Sequence, residues 1–256
     1  MLRPVSKLSG YTIEASDGHI GSVNDILFDD ATWKVRWLVV DTGHWLSGRK
    51  ILIHPSAVGA VDDERQSIPV TLTKARIEDG PAIQQDQPVS RQMENGLHGY
   101  YGFNPYWGGS FYGMAAIDAP FSSRPTFGGF GMGEAAAIQS RPEDQDPHLR
   151  SAAEVNGYHI HASDGDIGHV EDLLVEETGW GIRYLVVDTR NWWAGQHVLV
   201  SPYAVREIKW ADRQMRLDVT REKVKTSPPW HAPLSQLDQI YESQLHNHYG
   251  WPGYGW

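Results

Sequence analysis

The amino-acid sequence contains one unit twice, and this repeat constrains the fold more than any other feature. The segment GYTIEASDGHIGSVNDILFDD, which begins at Gly10, matches GYHIHASDGDIGHVEDLLVEE, which begins at Gly157. A second match pairs WKVRWLVVDTGHWLSGRKILIHPSAV from Trp33 with WGIRYLVVDTRNWWAGQHVLVSPYAV from Trp180. Both matches have the same offset of 147 residues, with no gap between them. A repeat of this kind predicts two similar structural units in tandem.

Each copy continues into a similar aromatic tail. RQMENGLHGYYGFNPYW ends at Trp107, and QIYESQLHNHYGWPGYGW ends at Trp256. The residues between the copies are rich in Gly, Ser and Pro and follow no helical or strand period, which is typical of a flexible linker. The predicted organisation is a first barrel at residues 1–80, a short helix and aromatic tail at 81–107, a linker at 108–149, a second barrel at 150–227, and a second helix and tail at 228–256.

Within each copy the hydrophobic pattern has a period of two residues. Tyr11, Ile13 and Ala15 alternate with polar residues, and Asp17-Gly18 then provides a tight hairpin turn. The runs VRWLVVDT, KILIHP and SIPVTLT are rich in β-branched residues and predict further strands. Five or six short strands in about 70 residues favour a small barrel. We therefore expect a mainly β fold of two small antiparallel β-barrels in tandem, each followed by a short helix and an aromatic tail.

The order of these motifs resembles the PRC-barrel family. The shared pattern is Gly-Tyr, then Asp-Gly-x-x-Gly-x-Val-x-Asp, then Trp/Tyr-Leu-Val-Val-Asp, and finally a strand that ends in proline. The family includes the cytoplasmic domain of the photosynthetic reaction-centre H subunit and the C-terminal domain of the ribosome-maturation factor RimM. This chain has neither a membrane helix like that of the H subunit nor the N-terminal domain of RimM. The resemblance implies a protein-docking module without a shared set of catalytic residues.

Charge and composition exclude several classes of function. The net charge of −10 is spread over the whole chain, so no basic segment is available to neutralise nucleic-acid phosphates. The chain has no cysteine, which excludes disulfides, zinc-thiolate sites and cysteine nucleophiles. The first residues lack an apolar segment of signal-peptide length, and no stretch approaches the roughly 20 apolar residues of a membrane span. These features predict a cytoplasmic protein.

The tripeptide Asp41-Thr42-Gly43 is the active-site motif of aspartic proteases, and the second copy offers Asp188 at the same place. A protease would need the two carboxylates to share one proton. In the second copy Arg190 replaces the glycine, and a cation beside the pair would oppose proton sharing. We expect each aspartate to end a strand and to accept hydrogen bonds from loop amides, and we expect no enzymatic activity.

Two histidine pairs have a spacing that could hold a metal. His159 and His161 would face the same side of a strand, and His246 and His248 lie in the second tail. The first copy has Thr12 and Glu14 at the positions of the first pair. We expect solvated histidines, with a metal site as the alternative, and we predict no cofactor.

Charged residues occur at equivalent positions within the apolar strands. Arg36 and Arg183 are equivalent, as are Asp25 and Asp172 on the preceding strand. A charge in such a strand must face water or find a partner. The sequence favours an Arg36–Asp25 pair and an Arg183–Asp172 pair, with exposure of both residues as the alternative.

Aromatic residues cluster in the loops and tails. Tyr and Trp are enriched at binding hot spots. The candidates for partner contacts are Trp45, Trp192, Trp193, Tyr101, Trp107, Tyr249, Trp251 and Trp256. In the alternative interpretation, each tail folds over a barrel and covers an open end.

Together these observations predict a non-catalytic module that docks to, or scaffolds, a protein partner of unknown identity. The two barrels are expected to pack about a pseudo-two-fold axis as a dimer within one chain. The alternative is a ligand- or metal-binding sensor that uses the groove between the barrels.

Overall fold

The computed structural model describes residues 1–80, 91–103, 148–189, 197–230 and 239–254. The predicted linker falls almost entirely outside these ranges, as do Trp107, Trp192, Trp193 and Trp256. Among the described residues, no helix is both long and apolar enough to cross a membrane.

The described residues of the first copy form six strands and three helices. The strands are β1 (Leu2–Pro4), β2 (Thr12–Ala15), β3 (Gly18–Asp29), β4 (Val35–Asp41), β5 (Lys50–Ile53) and β6 (Ser67–Pro69). The helices are α1 (Val5–Leu8), α2 (Lys74–Glu78) and α3 (Arg91–Tyr101), and a 3₁₀ turn spans Pro55–Ala57. Helix α3 lies in the segment for which the sequence predicts a short helix.

In its described part, the second copy repeats this order and has one more strand. Its strands are β7 (Leu149–Ser151), β8 (His159–Ala162), β9 (Gly165–Glu176), β10 (Ile182–Asp188), β11 (His197–Val200), β12 (Val205–Lys209) and β13 (Gln214–Leu217). Its helices are α4 (Ala152–Val155), α5 (Arg221–Lys225) and α6 (Gln239–Tyr249), with a 3₁₀ turn at Pro202–Ala204. The extra strand is β12, because the equivalent part of the first copy forms only the isolated bridges Val58–Val70 and Asp62–Ser67.

The strands in the described part of the chain form two sheets, which confirms the mainly β fold. The first has the order β5-β4-β3-β2-β6 and the second the order β11-β10-β9-β8-β13-β12. Neighbouring strands are antiparallel except β2 with β6 and β8 with β13, which are parallel. In each unit the 3₁₀ turn connects the strand at one end of the sheet with the segment that pairs at the other end. The predicted barrel of each unit therefore corresponds to one sheet, and the 3₁₀ turn connects the two end strands of that sheet.

The two copies exchange their first strands. Strand β1 pairs with β9 of the second copy, and β7 pairs with β3 of the first. The boundaries at residues 1–80 and 150–227 therefore divide the sequence but not the sheets. The first strand of each unit belongs to the sheet of the other unit.

A second reciprocal contact lies where β4 and β10 begin. The Val35 N–H donates to the Trp180 carbonyl over 2.8 Å, and the Ile182 N–H donates to the Trp33 carbonyl over 2.7 Å. Trp33 and Trp180 both have positive φ, 57° and 51°. Because each contact recurs with the two units interchanged, an approximate two-fold axis relates the units.

The glycine shared by the two Asp-Gly-x-x-Gly motifs has a steric cause. A Cβ at Gly21 would lie 2.0 Å from the Asp41 carbonyl oxygen, and a Cβ at Gly168 would lie 1.9 Å from that of Asp188. Only glycine allows β3 and β9 to pass so close to the ends of their neighbouring strands. Part of the motif that resembles the PRC-barrel family is therefore a packing requirement at the aspartate positions.

Candidate functional site

Helix α3 places a buried carboxylate against the first sheet. Both oxygens of Glu94 are engaged: Oε2 accepts from Arg36 Nη2, and Oε1 accepts from the Trp37 indole N–H at 2.6 Å. Arg36 Nη1 also contacts Asp29 Oδ2 at 3.3 Å. Glu94, Arg36 and Asp29 are all buried. A carboxylate that accepts from a guanidinium and an indole is ionised, so this junction is a buried ion pair.

Next to this ion pair, aromatic rings cover the end of the first unit. His54 and His98 lie with ring centroids 5.2 Å apart, and Phe103 stacks on His54 at 5.1 Å. Burial lowers the pKa of His54 to about 4, with further contributions from His98 and Arg36. Nδ1 of His54 accepts the Ser56 N–H and so caps the 3₁₀ turn. His54 is therefore a neutral structural histidine.

Helix α6 occupies the equivalent place in the second unit, but its buried acid has different partners. The Tyr184 hydroxyl oxygen lies 3.0 Å from Glu242 Oε1 and 2.8 Å from His246 Nε2. His246 Nδ1 lies 2.7 Å from the Pro252 carbonyl oxygen, which fixes the last turn of the described tail. Burial raises the pKa of Glu242 and lowers that of His246. This junction is a hydrogen-bonded chain instead of an ion pair with arginine.

The arginine of the second unit points elsewhere. Arg183 donates from Nε to Glu176 Oε2 at 2.9 Å, and its guanidinium lies 4.1 Å from the centroid of the Tyr254 ring. The Tyr254 hydroxyl donates to the Arg183 carbonyl at 2.7 Å and lies 2.6 Å from Ser201 Oγ. Tyr254 thus fastens the C-terminal tail to the sheet beside the Glu242 chain.

The predicted Arg36–Asp25 and Arg183–Asp172 pairs are wrong in their partners. Strand pairing places Asp25 opposite Val39 and Asp172 opposite Val186, several residues from the arginines. The arginines instead contact acids four residues further along the preceding strand, Asp29 and Glu176. The prediction paired residues because they are equivalent in the two copies, but the strand register places Asp25 and Asp172 opposite other residues.

Asp25 and Asp172 instead join the two units. Asp25 accepts from the Ser151 hydroxyl at 2.6 Å and from the Ala153 N–H at 3.2 Å. Asp172 accepts from the Ser6 N–H at 3.1 Å and from the Ser6 hydroxyl. Each aspartate therefore binds the start of the short helix that belongs to the other copy.

The described contacts of the protease-like aspartates Asp41 and Asp188 lie within their own units. The Asp41 carboxylate accepts the Gly43 N–H at 2.8 Å, as expected for a residue that ends a strand. Asp188 is buried, and its Oδ2 lies 3.5 Å from His169 Nε2. Arg190 lies outside the described residues.

The prediction of solvated histidines is wrong for His246, which is buried against Tyr184. His159 is exposed, whereas His161 is half-buried and contacts Asp166. His248 Nε2 lies 2.8 Å from the Lys223 carbonyl oxygen. Within the described ranges, no group of three or more His, Asp or Glu side chains has the arrangement of a metal site.

Apart from Tyr100, which is exposed, the described tail aromatics pack internally. Tyr101 is buried, and Phe103 stacks on it at 5.4 Å. Trp251 stacks on Tyr249 at 4.0 Å, and both residues are half-buried and pack against buried side chains of the second unit. Trp45 is half-buried, with Lys74 Nζ 4.9 Å from its ring centroid. A partner could therefore reach Tyr101 only if its tail moved, which corrects its place among the contact candidates.

A groove between the units remains accessible, and we call it the aromatic groove. It has a volume of about 640 Å³. Its aromatic lining residues are Trp33, Tyr203, Trp210 and Tyr254, and Asp30, Arg150 and Glu207 are among its charged ones. Tyr203 is 50% exposed and stacks on Tyr254 at 5.3 Å. Arg150 binds Asp30 at 3.0 Å and lies 4.2 Å from the Trp210 ring centroid.

The two-fold axis produces a counterpart, which we call the polar groove. It has a volume of about 580 Å³, and its lining includes Lys34, His54, Ser56, Glu177 and Trp180. Ser56 stands at the position equivalent to Tyr203, and Asp63 at the position equivalent to Trp210. Correspondingly, Arg3 pairs with Asp63 and Glu177, whereas Arg150 pairs with Asp30 and stacks on Trp210. The aromatic groove therefore differs from the polar groove mainly at two equivalent positions, where it has Tyr203 instead of Ser56 and Trp210 instead of Asp63.

Sequence reasoning missed the helix residues at both junctions, although a signal was present. Glu94, Leu97 and His98 recur as Glu242, Leu245 and His246, within a shared Glu-x-x-Leu-His-x-x-Tyr-Gly motif. Residues spaced by three and four positions lie on one helix face. Leu97 and Leu245 are buried beside the acid and the histidine in each helix. The repeated spacing marks the face that packs on the sheet.

The fold and the junctions define a pair of related β units with a helix fastened to each. Residues 3–77 match the PRC-barrel domain, which confirms the resemblance for the first unit. The second unit lies outside that match, and its assignment rests on the internal repeat and the same order of elements. An uncharacterized protein of Deinococcus radiodurans is similar to this chain, with 35% identity over 74 residues. That alignment covers 29% of this chain and 26% of the relative, so the chain spans about a quarter of the relative's length.

Proposed function

We propose that the protein is a non-catalytic, cytoplasmic docking module that holds an extended basic segment of a partner protein in the aromatic groove. The observation that carries this proposal is the position of β12. This strand is at the end of the second sheet, and its residues Val205, Glu207 and Ile208 line the groove. Among the described strands, β12 pairs only with β13. Its other edge can accept an added strand.

The chemistry of the lining specifies the occupant. Tyr203 offers an exposed aromatic surface, and aromatic residues of this kind contribute strongly to peptide and protein binding. The Glu207 carboxylate is about half exposed on β12, where Arg216 Nε lies 3.9 Å from it, and the protein carries a net charge of −10. Long-range attraction therefore favours a basic partner. The polar groove has no edge strand equivalent to β12 among the described residues and offers Ser56 in place of Tyr203.

Selection from a random peptide display library tests this proposal. We expect enrichment of peptides that combine basic with aromatic or branched apolar residues. Tyr203→Ser, which copies the polar groove, should weaken their binding by roughly tenfold or more. The control Ser56→Ala alters the equivalent position of the polar groove and should leave binding unchanged. Failure to enrich peptides, or binding that is insensitive to Tyr203→Ser, would contradict the proposal.

The groove volume of about 640 Å³ also favours a second candidate, a sensor of a small apolar ligand. Small-molecule pockets typically have volumes of about 300–1,000 Å³. A fragment screen by thermal shift would detect such ligands as compounds that stabilise the wild type but not Tyr203→Ser. Stabilisation that persists in the variant would place the ligand outside this groove.

A further inference from the structure

We propose that Glu242, Tyr184 and His246 share one proton that fastens the C-terminal tail, and that gain or loss of a proton withdraws Tyr254 from the aromatic groove. The first part rests on the hydrogen-bonded chain alone. The second part, which concerns binding, rests on the proposed function of the groove. The chain contains three side chains that can each carry a hydrogen, and its geometry limits how many protons it can hold.

The backbone contact sets the first constraint. A carbonyl oxygen can only accept, so Nδ1 of His246 carries a hydrogen and donates it to Pro252. In a neutral imidazole Nε2 is then bare and accepts the Tyr184 hydroxyl hydrogen at 2.8 Å. That hydroxyl has no second hydrogen. Its 3.0 Å contact with Glu242 is then a hydrogen bond only if a protonated Glu242 carboxyl donates to the Tyr184 oxygen.

A second arrangement has the same number of protons. If the proton lies on His246 Nε2, this nitrogen donates to the Tyr184 oxygen, and the Tyr184 hydroxyl donates to the Glu242 carboxylate. Both arrangements satisfy the three side chains. With one proton fewer, the single Tyr184 hydrogen faces two acceptors. With one proton more, the Tyr184 oxygen faces two donors and its own hydrogen has no acceptor, so either change leaves a buried polar group unsatisfied.

Burial, and not the surrounding charge, favours a neutral acid in this chain. Burial raises the pKa of Glu242 and Glu176 on β9 adds to this, whereas the hydrogen bond from Tyr184, Arg183 on β10 and the N-terminal amine lower it. Burial also lowers the pKa of His246 and Arg183 acts in the same direction, whereas the hydrogen bond to the Pro252 carbonyl raises it. Arg183 is engaged by Glu176 and by the face of Tyr254.

The chain is coupled to the groove through the tail. His246 holds the Pro252 carbonyl, and Tyr254 follows two residues later. The Tyr254 ring lies with its centroid 5.0 Å from that of His246 and stacks on Tyr203 inside the groove. Release of Pro252 therefore removes one of the contacts that hold this aromatic wall, and the hydroxyl contacts of Tyr254 with the Arg183 carbonyl and Ser201 must break as well before the ring can leave.

The closed and open states bind different numbers of protons, which gives the pH dependence its sign. In an open tail the ordinary pKa values, about 4.3 for Glu and about 6.5 for His, leave one proton on the pair between these values. The closed chain also holds one, so opening does not depend on pH in this window. Above about pH 6.5 the open state holds none, so rising pH favours opening by up to about tenfold per pH unit. Below about pH 4.3 the open state holds two, so falling pH favours opening.

Hydrogen exchange in the full chain tests the shared proton. The amides of Gly250 and Trp251 donate to the His246 carbonyl, so their protection factors report opening of the tail. We expect these factors to fall as the pH rises above about 6.5. The amides of Gly102 and Phe103 make the same contacts with His98 and are the matched control. Their protection should stay constant on the alkaline side, because Glu94 is already ionised in its pair with Arg36.

Glu242→Gln separates the proposal from a purely structural role. A glutamine amide donates to the Tyr184 oxygen at every pH, so the alkaline loss of protection should disappear while the tail stays closed. An alkaline loss that is the same in Glu242→Gln and wild type, or that appears equally at Gly102 and Phe103, overturns the shared proton.

Peptides selected on the groove test the coupling. In the wild type, the affinity for these peptides should fall above about pH 6.5, in parallel with the protection factors of Gly250 and Trp251. In Glu242→Gln, the affinity should not change with pH over the same range. If protection falls but affinity does not, the coupling to Tyr254 is wrong while the docking function stands. If no peptide binds at any pH, the docking function fails, and the exchange measurements still decide whether the proton is shared.

Discussion

The two helix-to-sheet junctions use the same helix motif but hold their buried acid in different ways. Glu94 forms an ion pair with Arg36, whereas Glu242 lies in a chain with Tyr184 and His246. The difference follows from one strand position, which is Trp37 in the first unit and Tyr184 in the second. An indole N–H can only donate, so it requires an acceptor, whereas a phenol can donate and accept at once. A single aromatic replacement thus allows a different charge state at an otherwise similar site.

The arginines complete the contrast. Arg36 points inward and is 4% exposed, whereas Arg183 turns toward Glu176 and the tail residue Tyr254. The first junction is a fixed structural ion pair, and the second is adjacent to the aromatic groove. The first unit therefore has an ion pair at this position, and the second has Glu242, Tyr184 and His246 next to the aromatic groove.

The largest expected effect comes from neutralising the two acids in parallel. Glu94→Gln removes one partner of a buried ion pair and should lower the free energy of unfolding by about 3 kcal/mol, because Arg36 keeps only part of its compensation. Glu242→Gln preserves a donor toward Tyr184 and should cost less than about 1 kcal/mol. Urea denaturation of both variants at pH 7 measures the difference. Equal losses would show that the two junctions do not differ in charge state.

An intermediate effect concerns acid stability of the first unit. The folded-state pKa of His54 is lowered to about 4, so its contribution is fully present above the ordinary value near 6.5 and is lost as the pH falls toward 4. Protonation of Nδ1 would also break the bond from the Ser56 N–H. His54→Ser copies Ser201, which caps the equivalent turn without titrating in this range.

The melting temperature of the wild type should therefore fall more between about pH 6.5 and pH 4 than that of His54→Ser. NMR titration of the His54 ring would give its pKa directly. A pKa near the ordinary value, or an unchanged acid sensitivity of the variant, would contradict a buried neutral His54.

The smallest effect should be the same in both units. Asp25→Ala and Asp172→Ala each remove hydrogen bonds to the start of a short helix in the other copy and should cost about 1 kcal/mol. Exposed Asp212 provides a control whose replacement by alanine should have little effect. Chemical denaturation measures all three. If the two variants lost clearly different amounts of unfolding free energy, the two symmetry-related contacts would not be energetically equivalent, which would contradict this prediction.

Much of the fold could be predicted because its signals are local. The period-two pattern, the Asp-Gly turns and the offset of 147 residues identify the strands and their duplication without any contact information. The short helices were also predictable, and their Glu-x-x-Leu-His face could have been found by comparing the tails. The arginine partners were not predictable, because pairing depends on register, and Asp25 lies opposite Val39 instead of beside Arg36.

The sequence by itself determined that there are two related β units, that each carries an Asp-Gly-x-x-Gly motif, and that each is followed by a short helix and an aromatic tail. The tertiary structure alone decided that β1 and β7 exchange sheets, that Asp25 and Asp172 join the units, and that one of two equivalent grooves is aromatic. The physical reason is sequence distance. Turns and strand patterns arise among neighbours in the chain, whereas these contacts join residues more than 100 positions apart, whose proximity depends on how the sheets pack.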